Sequence, residues 1–515
     1  MKSCADRNVP LLLGVDVGTT ECKAGLFDIT AQPIAKAHRC YKILRPALGW
    51  AEEKPEDWWT AVVTTIKEVL KASKVEPRLI KGLAISCTNA CLPVDKKGQA
   101  LRNALMQVDQ RTVGQAEWIK AKIGEERVLE ITGNRIAAGS FSAPTILWIK
   151  ENEPRIFEKT HKFMVPSGFI VQKLTDAFTI DTSRGATTLL FETKKGAWSE
   201  ELVKEMEIPA EKLPEVHFPW ETVGEVTEKA AKVTGMHKGT PVLAGSMDTV
   251  AAMAGSGTVK DGDASLILGS VARVCAVSDK PFFDSRFLNT CFATPKTWLA
   301  IGCTNAAGLS LEWLIDNFGH QETELSKNIN TNPHQMFDRE AEKSPAGAHG
   351  LIYLPYVAGE RSPLWDPYAR GVIFGLSLRN DRHDFVRAFY EGVAYSIRHN
   401  MEVLESALGR EKREFRVSGG GAKSEFWLQV IADVSGKEII PTAIVETEPL
   451  GDALIAGVGL GIYKNLEETA KIVSVGESVV PREKYRYRYS RLFDLYKNLY
   501  GHLKRTFKET SQMSL

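Results

Sequence analysis

The stretch "LLLGVDVGTTECKAGLFD", residues 11–28, consists of two apolar runs separated by a polar turn. Asp16 interrupts the first run, and a carboxylate in a buried strand is costly unless a partner compensates for its burial. The turn consists of Gly18, Thr19 and Thr20, and it is too short for a crossover connection. We therefore predict an antiparallel hairpin, which excludes the strand-to-helix glycine turn of dinucleotide-binding and Walker-type folds.

The composition of this turn favours an anion. Successive backbone N–H groups and hydroxyls form a concavity that suits phosphate, and Lys23, just beyond the turn, adds a positive point charge. A carboxylate beside phosphates, here Asp16, would hold Mg²⁺ or its water shell. A plain hairpin with an edge aspartate is the alternative interpretation of the same residues.

The composition of the whole chain excludes several classes of protein. Its 515 residues are too many for one core, and 65 Lys and Arg against 64 Asp and Glu produce no basic field for nucleic acid or an anionic membrane. The eight cysteines are scattered without a zinc-like spacing, which favours reduced thiols. With neither a signal peptide nor a long apolar span in the sequence, we expect a cytoplasmic protein.

Strand-like and helix-like patterns alternate along the chain, which predicts a mixed α/β architecture. Residues 55–73 have apolar side chains at helical spacing, and the small, Gly-rich residues 251–265 have the composition of a junction between two lobes. Residues 265–279 repeat the opening pattern of apolar run, Gly-Ser turn and apolar run. The tail, residues 482–509, is predicted to be a helix packed through its aromatic face.

"AGSMDTVAAMAG", residues 244–255, places Asp248 at a strand-to-helix junction with no basic residue nearby in sequence. An aspartate in this position is often a helix N-cap. The alternative is a general base that accepts the proton of a substrate hydroxyl. A third feature, the glycines at 419–421, allows a nucleotide to approach the backbone closely or simply begins a helix.

Together these motifs resemble the FGGY carbohydrate kinases, which belong to the superfamily of sugar kinases, actin and heat-shock ATPases. The most specific match is "GVIFGLSLRNDRHDFVRAFYEG" at residues 371–392. Supporting motifs in the family's order include "DVGTT", "LPYVAGERSPLWDPYARG" and "EPLGDALIAGVGLGIY". The resemblance covers nearly the whole chain.

The resemblance implies two lobes of duplicated ribonuclease-H-like, or actin-like ATPase, folds around an interlobe cleft. Residues 1–255 would form the N-terminal domain, with sugar binding, the first phosphate loop and the base. Residues 256–515 would form the C-terminal, nucleotide-binding domain. The implied cofactors are ATP and Mg²⁺, the implied partner is a small sugar or polyol, and a homodimer is left open.

The resemblance also assigns roles to individual residues. The first phosphate loop with its metal corresponds to Asp16, Gly18, Thr19, Thr20 and Lys23. The second phosphate loop, which lacks the family's usual threonine, and the adenosine side correspond to Gly269, Ser270, Gly308, Gly420, Gly421 and Ser424. Asp248 matches the catalytic base, and the candidate partners of the sugar hydroxyls are Asn89, Asp109, Asp248 and Thr249.

The sequence says least about which sugar or polyol accepts the phosphate. Where glycerol kinases carry Gln-Arg-Glu and xylulokinases Gln-Met-His, this chain has Thr88, Asn89 and Ala90. Glycerol is therefore disfavoured, and a ketopentose or sugar alcohol is expected, as in a xylulokinase-like member. The alternatives are a gluconate-type kinase, which needs an extra cation in its sugar pocket, a catalytically silent sugar-binding relative, and a chaperone-like ATPase.

Overall fold

The computed structural model describes residues 9–329 and 331–513, apart from the side chains of residues 511 and 512. Cys4 therefore lies outside the described residues. The chain forms two compact units. The first comprises the chain up to Asp261 with Val277–Leu299 and Glu446–Val473, and the second comprises Gly262–Ala276, Ala300–Val445 and the chain from Ser474 onward.

The first unit contains a mixed seven-stranded sheet that includes the predicted hairpin. Strands Leu11–Val17 and Glu21–Asp28 pair antiparallel, with Asp16 opposite Lys23, so this prediction is confirmed. In order across the sheet, the strands are Thr222–Glu225, Pro241–Leu243, Ile80–Cys87, Leu11–Val17, Glu21–Asp28 and Pro33–Cys40, and Ser246–Met247 also pairs with Ile80–Cys87.

Helices cover both faces of this sheet. Helix Pro55–Ser73, which coincides with the predicted helix, packs on one face, where Thr65 contacts Cys22. Helix Thr447–Gly459 packs on the other face, where Pro449 lies against Gly25. Residues of opposite parity on a strand point to opposite faces, and the hairpin is therefore buried on both sides.

Glycines allow helix Thr447–Gly459 to approach its neighbours very closely. A Cβ atom at Gly14 of the first strand would lie 1.8 Å from the carbonyl oxygen of Pro449. A Cβ atom at Gly451 would lie 1.8 Å from the carbonyl oxygen of Ala251, in helix Asp248–Gly255. Any other residue at Gly14 or Gly451 would force these backbones apart.

The second unit repeats the same strand pattern. Strands Ala264–Leu268 and Ala272–Ser278 form an antiparallel hairpin, and Glu414–Ser418 pairs parallel to the first of them, as Ile80–Cys87 does in the first unit. The sheet continues with Trp298–Thr304 beyond one edge of this hairpin and with Glu438–Pro441 beyond Glu414–Ser418. The predicted duplicated α/β architecture is confirmed.

The predicted junction at residues 251–265 contains the passage from the first to the second unit, at Asp261 and Gly262, but residues 251–255 need a correction. The small residues at 251–255, predicted to lie in a junction, belong to the buried helix Asp248–Gly255 because their small side chains permit its close packing against helix Thr447–Gly459. The predicted division into residues 1–255 and 256–515 stays a prediction; the first compact unit also takes in Val277–Leu299 and Glu446–Val473. The assignment of sugar binding to one domain and nucleotide binding to the other stays a prediction.

The other elements complete the two units. The remaining helices are Val113–Lys122, Glu125–Thr132, Ser142–Asn152, Pro154–Lys159, Pro166–Thr175, Thr182–Gly185, Glu200–Glu205, Glu228–Thr234, Gly308–Phe318, His320–Asn328, Pro333–Glu342, Arg382–Leu408, Glu425–Ser435, Leu466–Thr469 and Arg486–Met513. The remaining strands are Glu52–Glu53, Ala90–Val94, Ala104–Met106, Lys162–Met164, Thr179–Asp181, Phe191–Glu192, Ala197–Trp198, Glu215–His217, Leu288–Cys291, Ile352–Leu354 and Val372–Phe374.

The last helix, Arg486–Met513, confirms the prediction for the tail, since Tyr489, Phe493 and Tyr496 are buried while Tyr487 is exposed. No helix within residues 9–329 and 331–513 is long and apolar enough to cross a membrane.

The close helix packing makes a testable prediction. Gly451→Ala places a methyl group against a backbone carbonyl, and we expect it to lower the free energy of unfolding by at least about 1–3 kcal/mol. Gly501→Ala is the matched control: this helical glycine has open space around its Cβ position and should be neutral or slightly stabilising. Urea unfolding of both variants checks this, and equal stabilities would contradict the packing argument.

Candidate functional site

Three neighbouring strands of the first unit end at the same level. Val17 and Met247 both lie opposite Cys87 in the parallel register of the sheet. The next residues along the three strands are therefore neighbours: the turn at Gly18, the pair Thr88 and Asn89, and Asp248. Ligands of open α/β sheets bind outside the carboxyl ends of strands, and the predicted first phosphate loop, sugar contacts and base share one such edge.

Asp16 lies one residue before this edge and is 4% exposed. Its carboxylate accepts a hydrogen bond of 3.0 Å from the hydroxyl of Ser86. Burial raises the pKa of Asp16 to about 7, with a further increase from the negative charge of Glu448, while Lys23 opposes the shift. The carboxylate is thus held where its negative charge is poorly compensated, and a bound cation would stabilise it.

Lys23 compensates for part of this charge. Although burial by itself lowers the pKa of Lys23, the neighbouring carboxylates of Glu448 and Asp16 raise it above its ordinary value, so the ammonium stays charged. Its Nζ atom lies 3.3 Å from a carboxylate oxygen of Glu21. A permanent cation therefore stands opposite Asp16 at the turn, as the phosphate-loop prediction requires.

Sequence reasoning missed three residues around Asp16. Ser86 donates its hydroxyl to Asp16 and its amide to Asp452, 3.0 Å away. Burial raises the pKa of Asp452 well above its usual range. Both Asp452 and Glu448 lie in the family-like motif "EPLGDALIAG", which was the available signal, but its position in the sequence does not show that it packs against the hairpin.

The turn itself is braced from several sides. The amide of Gly18 donates to the carbonyl oxygen of Glu21 at 2.9 Å, and the hydroxyl of Tyr41 donates to the carbonyl oxygen of Gly18. The hydroxyls of Thr19 and Thr88 are 2.9 Å apart, which joins the loop to the neighbouring strand end. Thr20 is exposed.

Asp248 is the first residue of its helix, and Met247 occupies the N-cap position, so the N-cap interpretation is wrong. Its Oδ1 atom accepts hydrogen bonds from the amide of Thr249 at 2.7 Å and from the Thr249 hydroxyl at 3.1 Å. It also lies 3.4 Å from a guanidinium nitrogen of Arg184. The basic neighbour that was not apparent along the sequence is therefore supplied by the fold.

The two remaining sugar candidates differ in their surroundings. Asn89 donates its amide to the carbonyl of Ser140 at 2.7 Å, while its buried Oδ1 atom has no hydrogen-bond partner among the described residues. The carboxylate of Asp109 accepts bonds from the Arg111 guanidinium and, at 2.7 Å, from the amide of Ala51. Asn89 thus offers an acceptor, whereas the oxygens of Asp109 already have partners.

The nucleotide candidates form a second group, within the second unit. Gly269 and Ser270 lie in the turn of its hairpin, and their carbonyl oxygens accept the amides of Gly308 and Leu309, each at 3.0 Å. Gly308 is the first residue of a helix, and a Cβ atom there would lie 2.8 Å from the carbonyl oxygen of Gly269. The predicted second loop therefore caps this helix N-terminus through its carbonyl oxygens.

The glycine segment at 419–421 follows the neighbouring parallel strand. Gly419 has a φ of +89°, and Gly420 and Gly421 begin a short 3₁₀ helix. A Cβ atom at Gly421 would lie 2.5 Å from the side chain of Leu268, the residue before Gly269. Ser424 caps the next helix by accepting the amide of Trp427 at 3.0 Å. The glycines thus meet the second loop at one strand edge.

Sequence reasoning also missed Glu360, which braces this edge. Its buried carboxylate accepts the hydroxyl of Thr304 at 2.5 Å and the amide of Asn305 at 2.8 Å, three residues before Gly308. Burial raises the pKa of Glu360 to about 7. The motif "GERSP" is the sequence signal, but only the fold connects it to the helix at Gly308.

Family comparisons agree with this arrangement. Residues 11–255 match the N-terminal domain, and residues 264–460 the C-terminal domain, of the FGGY family of carbohydrate kinases. The chain belongs to the FGGY family of carbohydrate kinases. It is accordingly an ATP-dependent sugar phosphotransferase.

Individual relatives match nearly the whole length of the chain. It is 30% identical to xylulose kinase of Bacillus subtilis, over 96% of this chain and 97% of that protein. It is 27% identical to gluconokinase of Bacillus licheniformis, over 95% of each. The crystal structure of xylulose kinase from Rhodospirillum rubrum superimposes with a TM-score of 0.87 at 28% identity, covering 97% of this chain and 100% of that one.

The burial of Asp16 predicts a dependence of stability on pH. Because its pKa is higher in the folded than in the unfolded chain, the folded state binds more protons between pH 4 and 7, and stability is lost as the pH rises through this range. Asp16→Asn removes the buried charge. We expect this variant to melt at a higher temperature than the parent at pH 8 in metal-free buffer, with the difference shrinking towards pH 4.

The matched control is Asp176→Asn, an exposed aspartate with positive φ, a conformation that asparagine tolerates. Thermal unfolding of both variants between pH 4 and 8 separates the buried charge from a general loss of one carboxylate. A lower melting temperature of Asp16→Asn than of the parent at pH 8 would contradict the electrostatic argument.

Proposed function

We propose that this kinase transfers the γ-phosphate of ATP to a hydroxyl of a ketopentose or sugar alcohol at the edge formed by Gly18, Asn89 and Asp248. The observation that carries the proposal is the common level at which the three parallel strands before these residues end. Phosphoryl transfer depends mainly on positioning and charge neutralisation, and this edge presents a hydroxyl-rich turn, a cation, an amide and a carboxylate together.

Asp248 is the proposed general base. The hydroxyl oxygen of the sugar attacks the γ-phosphorus, its proton passes to the Asp248 carboxylate, and ADP leaves with the electron pair of the broken P–O bond. Asp248 is suited to this role because it is anchored through Oδ1 by Thr249 and Arg184. A sugar hydroxyl is a poor nucleophile, and a positioned base contributes roughly 10²–10⁴-fold.

The phosphates are the proposed ligands of the two loops. In the first unit, the turn at Gly18, Thr19 and Thr20 and the charged Lys23 would bind the transferred group. In the second unit, the nucleotide would lie against Gly269, Ser270, Gly308, Gly420, Gly421 and Ser424. The meeting of the second loop and the glycine segment at one strand edge supports this part of the proposal.

Mg²⁺ is the proposed metal, and the residues present fit it. No cluster of three or more metal-ligating His, Cys, Asp or Glu side chains occurs in the described part of the chain, which suits an ion that usually takes one or two carboxylates together with substrate phosphates. Asp16 would hold it, since this buried oxygen donor lacks full charge compensation. When bound, the ion would neutralise charge on the transferred phosphate.

A neutral acceptor is favoured over a sugar acid. Thr88, Asn89 and Gln107 offer hydroxyl and amide groups, and the Gln107 amide already donates to Thr88 at 3.1 Å. The nearby buried guanidinium of Arg184 is paired with Asp248, and that of Arg111 with Asp109. A sugar-acid carboxylate needs a cation of its own, so the gluconokinase function of some relatives is the second candidate.

The base assignment predicts a selective loss of activity. Asp248→Asn keeps the size of the side chain but removes the proton acceptor, so kcat should fall at least about a hundredfold with ATP binding and melting temperature retained. Asp176→Asn serves as the control and should keep full activity. A folded Asp248→Asn enzyme that turns over within a few fold of the parent would exclude Asp248 as the base.

The proposed contact of Asn89 with the acceptor sugar predicts a change in KM. Asn89→Ala should raise KM for the acceptor about tenfold because a buried hydrogen bond is lost, while KM for ATP stays within a factor of two. The acceptor is found first with a panel of pentuloses, polyols and sugar acids in a coupled ADP-release assay. Turnover of sugar acids alone would replace the proposed acceptor class by the gluconate type, and no turnover of any sugar would support a silent relative.

The predicted cytoplasmic location is kept as part of this proposal, and it agrees with an enzyme whose substrates, ATP and a small sugar, are soluble metabolites. The homodimer stays open. Size-exclusion chromatography with light scattering tests the dimer.

A further inference from the structure

Arg184 is a buried cation for which neither the family resemblance nor the sequence assigns a role. It is 1% exposed and lies in the short helix Thr182–Gly185. One terminal guanidinium nitrogen donates to the carbonyl oxygen of Cys87 and lies 3.4 Å from Oδ1 of Asp248. The side chain therefore links the end of a central strand to the proposed base.

The short helix that carries Arg184 is itself built into this edge. The side chain of Asp181 caps it, accepting the amides of Ser183 at 2.8 Å and Arg184 at 3.1 Å. The hydroxyl of Ser183 accepts the amide of Met247, the residue before Asp248, at 2.8 Å. Ser183 therefore holds the backbone of Met247, and Arg184 holds the carboxylate of the next residue, Asp248.

A purely stabilising role does not account for an arginine at this position. Its Nε atom is buried and has no hydrogen-bond partner among the described residues, and an unsatisfied buried donor is destabilising. A buried ion pair is in general no more stable than well-packed apolar side chains. What an apolar residue could not supply is a positive charge beside Asp248.

The charges around Asp248 explain why a cation matters there. Asp248 and Asp16 are close enough to repel each other electrostatically, and Glu448, on the helix packed against the Asp248 helix, adds a third negative charge near Asp16. Lys23 lies opposite Asp16 in the hairpin. Arg184 contacts Asp248 and places a positive charge beside that carboxylate.

We propose that Arg184 is a positioning residue for the reaction: anchored on the Cys87 carbonyl, it orients the Asp248 carboxylate towards the acceptor hydroxyl, and its positive charge favours the ionised form of that carboxylate. The proposal rests on the proposed function, because it requires Asp248 to be the base. Arg184 acts through Asp248 and makes no contact with the substrate in this account.

Two variants of Arg184 test the proposal. Arg184→Gln keeps a donor for the Cys87 carbonyl but removes the charge, whereas Arg184→Lys keeps the charge but not the planar fork. We expect Arg184→Gln to lower kcat at pH 7 at least about tenfold and to move the acid limb of the pH profile upward by roughly one pH unit, because loss of a neighbouring cation favours the protonated acid. Arg184→Lys should leave the acid limb in place.

The pH profiles are measured at saturating ATP and Mg²⁺, so that occupancy of the proposed metal site at Asp16 is the same in every variant. Ser183→Ala is the matched control, since it removes the hydrogen bonds of the Ser183 hydroxyl with the Met247 amide and the Asp181 carboxylate but keeps the Arg184 charge. It should leave the acid limb where the parent has it. KM for ATP should stay within about threefold in all variants, and circular dichroism confirms their folding.

The outcomes distinguish the role of Arg184 from the assignment of Asp248 as the base, on which that role rests. A folded Arg184→Gln enzyme with the parent's acid limb and a kcat within threefold would overturn the role of Arg184. An equal upward shift in Ser183→Ala would also overturn it, because a structural perturbation would then suffice. If Asp248→Asn retains parental activity, the base assignment fails first, whatever the Arg184 variants show.

Discussion

The first unit depends on a backbone contact that only glycine permits. Helix Thr447–Gly459 lies against strand Leu11–Val17 and helix Asp248–Gly255 so closely that a single Cβ atom at Gly14 or Gly451 would collide with a carbonyl oxygen. Close backbone approach of this kind leaves no room for repacking. The geometry of the strand edge, and with it the placement of Asp16 and Asp248, follows from this contact.

The same contact buries several carboxylates close together. It brings Glu448 and Asp452 next to Asp16, and burial then raises the pKa of Asp16 to about 7. Buried carboxylates that lack full compensation destabilise the folded chain but bind cations and phosphate-bound metal well. The buried charge of Asp16 thus lowers the stability of the folded chain, while the same charge suits its proposed role of holding Mg²⁺. Such a trade-off between stability and function is common at active sites.

The two units share a strand pattern but have different residues at the turn of the hairpin. Each has a hairpin, a parallel strand beside it and a turn at the carboxyl edge. In the first unit the turn carries two threonine hydroxyls and stands next to Lys23, which suits the transferred phosphate. In the second, the carbonyl oxygens of Gly269 and Ser270 accept the first amides of the helix that begins at Gly308, and the turn carries no charged side chain.

The family was identified from the resemblance of its motifs. Local patterns in the sequence were sufficient to predict the hairpin, helix Pro55–Ser73 and the repeated hairpin, because strand alternation, helical spacing and turn residues are encoded by neighbouring residues. They did not predict the partners of the carboxylates. Ser86, Arg184 and Glu448 reach Asp16 and Asp248 from distant parts of the chain, and burial, which determines their charge, exists only once these parts have packed together. The sequence determined which groups are present, and the tertiary structure decided which of them meet.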